Sequence, residues 1–432
     1  MLNGKKVVGI ITEYNPFHAG HRYMIDEIRA EYHADYIIAA MSGDFVQRGE
    51  PAIFDKYERA RDALEQGVDL VVQIPVMFST SSAEDFAAGG VAVLRSLGFV
   101  DQLVFGSESA DLARLQQMAA LELSTGSSAH AKFNAVVRDG VASGMSYPKA
   151  RAEAMKLILS GDDEAAFETM LENTSSFELL SNDVLGLEYI KAVKRQGDCF
   201  EIACIRRKLS LPSAHSIRDA LLQGDIHADG HAGYATLDML SDMLSYRLLQ
   251  LVYLDSAVPA QNSVLCDYLD VSREIADALR KQARERMSFR ERIAAVKSRN
   301  YTYSRISRAL LHILLDLQRK DHAALRGVYF GEAEMMPYVR VLGVRQEAKA
   351  LLSAIATTAV TSPARYPRTL DALRRQTIES PEDLLTSIRA GHAELMFRTD
   401  LYAADLYRLI YRPYSRDVEP ENEFTRRFLV ID

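Results

Sequence analysis

Short, unbroken apolar runs alternate with amphipathic stretches over the first hundred residues. Val7-Val8-Gly9-Ile10-Ile11, Asp35–Met41, Asp69–Ile74 and Gln102–Phe105 have the pattern of parallel strands covered on both faces. Helical spacing fills 20–32, 55–66 and 82–97 between them. This alternation predicts right-handed βαβ units and a doubly wound parallel sheet. From about 110 to 180 the spacing is helical, with a polar interruption at Leu123–His130. A helix near 184–195, a strand at Phe200–Ile205 and a helix from Ser213 through Leu222 complete the expected α/β unit. Beyond 229 the pattern is mostly helical, at 235–255, 271–297 and 303–320, with one short strand candidate at Tyr338–Leu342. The expected organisation is an α/β domain over 1–228 and a mainly α-helical domain over 229–432, with no internal repeat.

Composition narrows the class. The chain has 432 residues, 48% hydrophobic and 25% charged, which is ordinary for a globular protein. No run of 18 apolar residues predicts a membrane span. The first residues lead directly into a strand rather than a signal peptide. Cys199, Cys204 and Cys266 have no spacing that suggests zinc or a disulfide framework. A cytoplasmic location is expected, and no protein partner is implied. A net charge of −8 excludes a general polyanion binder. Charge is uneven, however: Arg280–Arg308 holds ten Lys/Arg against two Glu, an excess of +8 in 29 residues. That stretch, with Tyr301 and Tyr303 inside it, is where RNA contact is expected, through Arg284, Arg286, Arg290, Arg292, Lys297, Arg299, Arg305 and Arg308.

The candidate chemistry follows the first strand, at Thr12-Glu13-Tyr14-Asn15-Pro16-Phe17-His18-Ala19-Gly20-His21. Open parallel sheets bind ligands beyond the carboxyl ends of their strands, where helix N-termini point. His18 and His21, three apart at a helix start, share one side of its first turn. A helix N-terminus favours phosphate, Gly20 permits close approach, and imidazoles can donate to a phosphate as charge builds on it. Further along, Ser213-Ala214-His215-Ser216-Ile217-Arg218 offers hydroxyls at a helix start and one guanidinium, groups suited to phosphate oxygens. His215 and His312 read as structural. Lys56 and Arg59 open a helix from which they could reach an anion, or simply face solvent.

The His18–His21 segment resembles the HIGH signature of the nucleotidyltransferases, and Ser213–Arg218 is similar to their late Ser/Thr-rich motif. No Lys-Met-Ser-Lys-Ser loop is present, which counts against an aminoacyl-tRNA synthetase. Glu13–His18, Met41–Ala52, Phe105–Glu108, Ser146–Pro148, Ser181–Tyr189 and Tyr338–Gly343 together resemble the tRNA(Met) cytidine acetate ligases, over nearly the whole chain. The resemblance implies a Rossmann-like sheet of HIGH nucleotidyltransferase type. It also implies a two-step reaction: ATP and acetate give acetyl-adenylate and pyrophosphate, then the acetyl group passes to the wobble cytidine of elongator tRNA(Met), forming N4-acetylcytidine. The ATP contacts it implies are Ile11, Thr12, Glu13, Tyr14, Asn15, Pro16, Phe17, His18, Ala19, Gly20, His21, Arg22, Tyr23, Met24, Gly106, Asn182 and Arg207, with Arg206 the neighbouring alternative. Ser213, Ser216 and Arg218 would face the triphosphate, and Mg²⁺ would arrive with ATP. Two departures stand out: the stretch from Arg207 to Ser213 is short, and Asp183 stands where a second Asn is expected. The competing functions are a small-molecule adenylyltransferase, which leaves the basic stretch without a task, and a noncatalytic RNA-binding protein.

Overall fold

The computed structural model describes residues 2, 4–124, 127–143, 145, 150–151, 153–154, 179–223, 230–255, 263–298, 301–331, 333–368, 371, 384–415 and 421–432. The strands are β1 Val7–Thr12, β2 Tyr36–Ser42, β3 Phe45–Val46, β4 Glu50–Pro51, β5 Leu70–Ile74, β6 Gln102–Ser107, β7 Glu201–Arg206, β8 Gly233–Tyr234, β9 Tyr338–Arg345, β10 Thr358–Val360, β11 Arg412–Pro413 and β12 Leu429–Ile431. Eight of them form one sheet in the order β10-β9-β5-β2-β1-β6-β7, with β12 also on β9. The expected parallel sheet is its centre: β5, β2, β1, β6 and β7 pair parallel throughout. Alternate residues of β1 feed the two faces. Val7 joins the core under helix Ala83–Arg95, while Val8 and Ile10 pack with Ile25 and Ile28 of helix α1 (Ala19–Glu31) and Leu64 of α2 (Lys56–Glu65).

The carboxyl-terminal half does more than add helices. β9 lies antiparallel to β5, from Leu70 against Val344 to Gln73 against Arg340. Without it the edge of β5 would expose unpaired main-chain groups. β9 runs eight residues rather than the five expected and is buried except at Arg345. β10 pairs with its first half and β12 with its last. Residues on both sides of the expected 228/229 division therefore build one sheet; 224–229 themselves lie outside the described residues, as does the Ser146–Pro148 match.

Two long helices expected from spacing are each broken. The stretch 271–297 is Arg273–Gln282 followed by Phe289–Val296. Ser288 opens the second with a capping box to Glu291, so the chain restarts there. Arg292 staples the turn: it is 0% exposed and donates to the carbonyls of Gln282 at 2.8 Å and Glu285 at 3.1 Å. The stretch 303–320 is likewise Tyr303–Leu314 and then Arg319–Arg326.

Candidate active site

β1 has β2 on one side and β6 on the other, so the sheet changes winding direction between β1 and β6. The crevice outside their carboxyl ends is where such sheets take ligands. The segments that meet there are the loop after Thr12, the turn after Ser107, the start of helix Ser181–Arg195, and Arg207 just past β7.

His18 is the N-cap of α1, and its Nδ1 accepts the Gly20 N–H at 3.0 Å. A Cβ on Gly20 would lie 2.8 Å from the His18 ring, so only glycine lets the ring fold over that N–H. Since Nδ1 is an acceptor, the neutral ring carries its proton on Nε2 and can donate it outward. His21 stacks on His18, with ring centroids 3.8 Å apart and planes 25° apart. Tyr14 and Phe17 pack edge-on and tilted around His21. Burial, and then the Arg207 guanidinium, lower the His18 pKa to about 4. Burial, His18 and Arg207 hold His21 well below its ordinary range. Both rings are thus neutral near pH 7. The buried Nδ1 of His21 has no hydrogen-bond partner among the described residues.

Much of the loop's polarity is turned inward. Glu13 accepts the Gln47 N–H at 2.7 Å, and burial pushes its pKa up. Asn15 accepts the Ile53 N–H at 2.8 Å. These bonds hold the β3–β4 hairpin, which is the Met41–Ala52 motif, against the site. Of the rest, Ile11 and Thr12 end β1, Ala19 is exposed, Arg22 pairs with Asp26 at 2.9 Å, Met24 packs into the smaller core, and Tyr23 lies under Lys208, whose Nζ is 3.8 Å from the ring centroid.

Across the crevice, a Cβ on Gly106 would meet nothing within 4 Å, so β6 ends on open space. Glu108, unassigned by sequence reasoning, gathers Asn182 and Arg207: its Oε1 accepts Asn182 Nδ2 at 2.9 Å and stands 3.4 Å from Arg207 Nη1. Arg206 ends its strand exposed and, among the described residues, reaches the Glu108 main-chain carbonyl at 3.5 Å. Arg207 is the one whose charge is felt at the histidines. Asp183, the departure from the resembling pattern, is buried and receives Ser107 Oγ at 2.5 Å and the Ser109 N–H at 3.2 Å, so it shapes the turn after β6. Ser213 and Ser216 bond to each other at the start of helix Ala214–Gln223.

Several cations, Lys56 and Arg59 left open between anion and solvent and others expected at RNA, are spent on the protein. Lys56 is 2% exposed and ion-paired with Asp44 at 2.9 Å and Glu423 at 2.6 Å, clasping the carboxyl-terminal segment. Arg59 is fully buried and donates to the carbonyls of Glu13, Ser42, Gly43 and Phe54. In the basic stretch, Arg292 is the buried staple described above, and Arg308 pairs with Asp270 at 2.9 Å and is 8% exposed. Tyr301 donates its hydroxyl to Glu274 and accepts from Ser272 Oγ. Arg299 lies outside the described residues. Arg284, Arg286, Arg290, Lys297 and Arg305 remain exposed, with Tyr303 beside Arg290. His312 is fully buried between the Thr80 and Leu269 carbonyls, as a structural histidine should be. Among the described residues no group of three His, Cys, Asp or Glu is placed to hold a metal.

Comparison with known proteins agrees with the fold. The model of the HIGH Nucleotidyl Transferase family matches residues 5–421. The chain is 31% identical to the tRNA(Met) cytidine acetate ligase of Thermoanaerobacter sp. (strain X514), over 95% of this chain and 96% of that protein. The chain belongs to the tRNA(Met) cytidine acetate ligase family. The ligase of Caldanaerobacter subterraneus subsp. tengcongensis is 32% identical over the same shares of both chains. Thermotoga maritima TmcAL bound with alpha-thio ATP superposes with a TM-score of 0.79 at 26% identity, covering 99% of both chains. No helix among the described residues is long and apolar enough to cross a membrane.

Proposed function

We propose that this chain is an ATP-dependent tRNA cytidine acetate ligase. It activates acetate as acetyl-adenylate and transfers the acetyl group to the wobble cytidine of elongator tRNA(Met). The observation that carries the reading is the stacked, neutral His18–His21 pair at the switch point of the sheet, with Arg207 facing it across the crevice.

In the first step an acetate oxygen attacks the α-phosphorus of ATP and the bond to pyrophosphate breaks. The Nε2–H of His18 and the guanidinium of Arg207 are supplied in advance to the oxygens that gain charge, so little reorganisation is needed as it develops. Magnesium would come on the phosphates. In this reading Ile11 through Met24, Gly106, Asn182 and Arg207 form the nucleotide site, and Ser213, Ser216 and Arg218 would face the triphosphate. In the second step the cytidine amine attacks the acetyl carbonyl, AMP leaves, and the amine loses a proton.

The exposed cations support the RNA half. Gly49 of the hairpin packs on the backbone of Ser307 and Arg308, and Ser307 Oγ donates to the Gly49 carbonyl at 2.7 Å. The hairpin therefore links the histidine loop to the basic helices, and tRNA held by Arg290, Lys297 and Arg305 would lie beside the site. A cytoplasmic location fits a tRNA-modifying enzyme. Incubation with ATP, labelled acetate and elongator tRNA(Met) should move label into the RNA with release of AMP. Label that appears instead on a small acceptor would favour the adenylyltransferase.

A further inference from the structure

The Glu108 side chain is only 6% exposed and carries the densest set of hydrogen bonds in the crevice. Its oxygens accept Asn182 Nδ2 at 2.9 Å, the Asn182 N–H at 3.1 Å and the Asp183 N–H at 3.1 Å, with Arg207 Nη1 at 3.4 Å. A carboxylate thus already fills the N-terminus of helix Ser181–Arg195. In addition, a carboxylate offers no proton, so Asn182 must give it the amide nitrogen. The planar amide then turns Oδ1 the other way, and Oδ1 takes no hydrogen bond from the described residues.

We infer that Glu108 is a positioning residue that presents the Asn182 carbonyl oxygen, and the free side of the Arg207 guanidinium, to the nucleotide. Asn182 then recognises a hydrogen-bond donor on the nucleoside, either the exocyclic amine of the base or a ribose hydroxyl. A phosphate oxygen, which can only accept, is left to Arg207 and the histidines. This inference rests on the nucleotide reading proposed above.

The test uses the full-length protein, with ATP binding measured by calorimetry and acetate-dependent exchange of pyrophosphate into ATP. ATP is compared with inosine triphosphate, which lacks the amine, and with 2′-deoxy-ATP and 3′-deoxy-ATP. Wild type should discriminate against one of the three by about tenfold in KM, the worth of one hydrogen bond of about 1.4 kcal/mol, and the analogue that suffers identifies the donor. In Glu108→Gln the glutamine amide can donate to Oδ1 and let Asn182 turn over. KM for ATP should rise by about tenfold, proportionally more than kcat falls, and the discrimination should collapse. A merely structural role would lower the melting temperature without changing that ratio. Should Glu108→Gln fail to fold, Asn182→Ala must show the same collapse. Retained discrimination in either folded variant, or equal use of all four nucleotides by wild type, overturns the inference. A wild type that binds no ATP overturns the nucleotide reading itself.

Discussion

Arg218 donates through Nη1 to the main-chain carbonyl of Asn15 at 2.6 Å, and its Nη2 stands 3.6 Å from Glu50 Oε1. One guanidinium thereby ties helix Ala214–Gln223 to the histidine loop and to the hairpin. Lysine keeps the charge but loses the fork that reaches both partners. Arg218→Lys is expected to slow adenylate formation by about tenfold, the effect of losing roughly one charge-assisted hydrogen bond. Pyrophosphate exchange at wild-type rate in that variant would leave the tie without a functional role.

The histidine pair separates capping from chemistry. Asn is a good N-cap, so His18→Asn should hold the α1 start, where a non-capping residue would cost about 1 kcal/mol. It should still lose about 100-fold or more in adenylate formation, as removal of a preorganised donor does. His21→Ala should lose a similar amount while its circular dichroism and tRNA affinity stay as in wild type. Full exchange activity in either variant would remove the pair from the reaction.

The pH response follows from lowered imidazole pKa values. His18 and His312 are both brought down to about 4 from the ordinary 6.5. Between those limits the unfolded chain binds protons that the folded chain refuses. The stability these rings confer is therefore complete above about pH 6.5 and lost as pH falls toward about 4. Asp400, raised to about 7 by burial, acts in the opposite sense. Adenylate formation should accordingly show no His18 inflection near pH 6.5. A rate that falls with a midpoint at 6.5 in the free enzyme would mean that the histidines work protonated.

For RNA binding, burial divides the basic stretch. Replacing Arg290, Lys297 and Arg305 with Gln should weaken tRNA binding and reduce the slope of log K against log salt by about one for each phosphate that is no longer neutralised. Arg292→Gln should instead lower the urea midpoint, because the carbonyls of Gln282 and Glu285 lose their buried donor, and leave the salt slope alone. Filter binding over a salt series, alongside denaturation, checks both. An unchanged slope in the triple variant would place the RNA surface elsewhere.

Gly49 has φ +78°, and a Cβ there would come 2.4 Å from the Arg308 backbone nitrogen. Gly49→Ala should destabilise by at least about 1–3 kcal/mol, since both the left-handed conformation and the close backbone approach penalise it. Because the hairpin joins the two halves of the reaction, acetyl transfer to tRNA should fall more than adenylate formation does. Equal losses in the two steps would argue against that link.

The parallel strands, their helices and the histidine turn were all legible in the sequence. Each is a local signal, such as a short buried apolar run or a motif held within one turn. β9 was only half legible. Tyr338–Leu342 read as a lone strand among helices, and nothing local says that it would seal the edge of β5, more than 260 residues earlier in the chain. Glu108 was visible as part of a motif, yet its partners Asn182 and Arg207 come from two other segments.

The residue pattern alone determined which segments become buried strands, where the winding starts and which turn carries two imidazoles, because period and capping are set by neighbours along the chain. The tertiary structure alone decided which charges are free. Lys56, Arg59, Arg292 and Arg308 look like Lys297 or Arg305 in a string of letters, but their cost of burial is met by carboxylates and carbonyls brought in from distant segments. A cation whose hydrogen bonds are already made inside the fold has none left for phosphate.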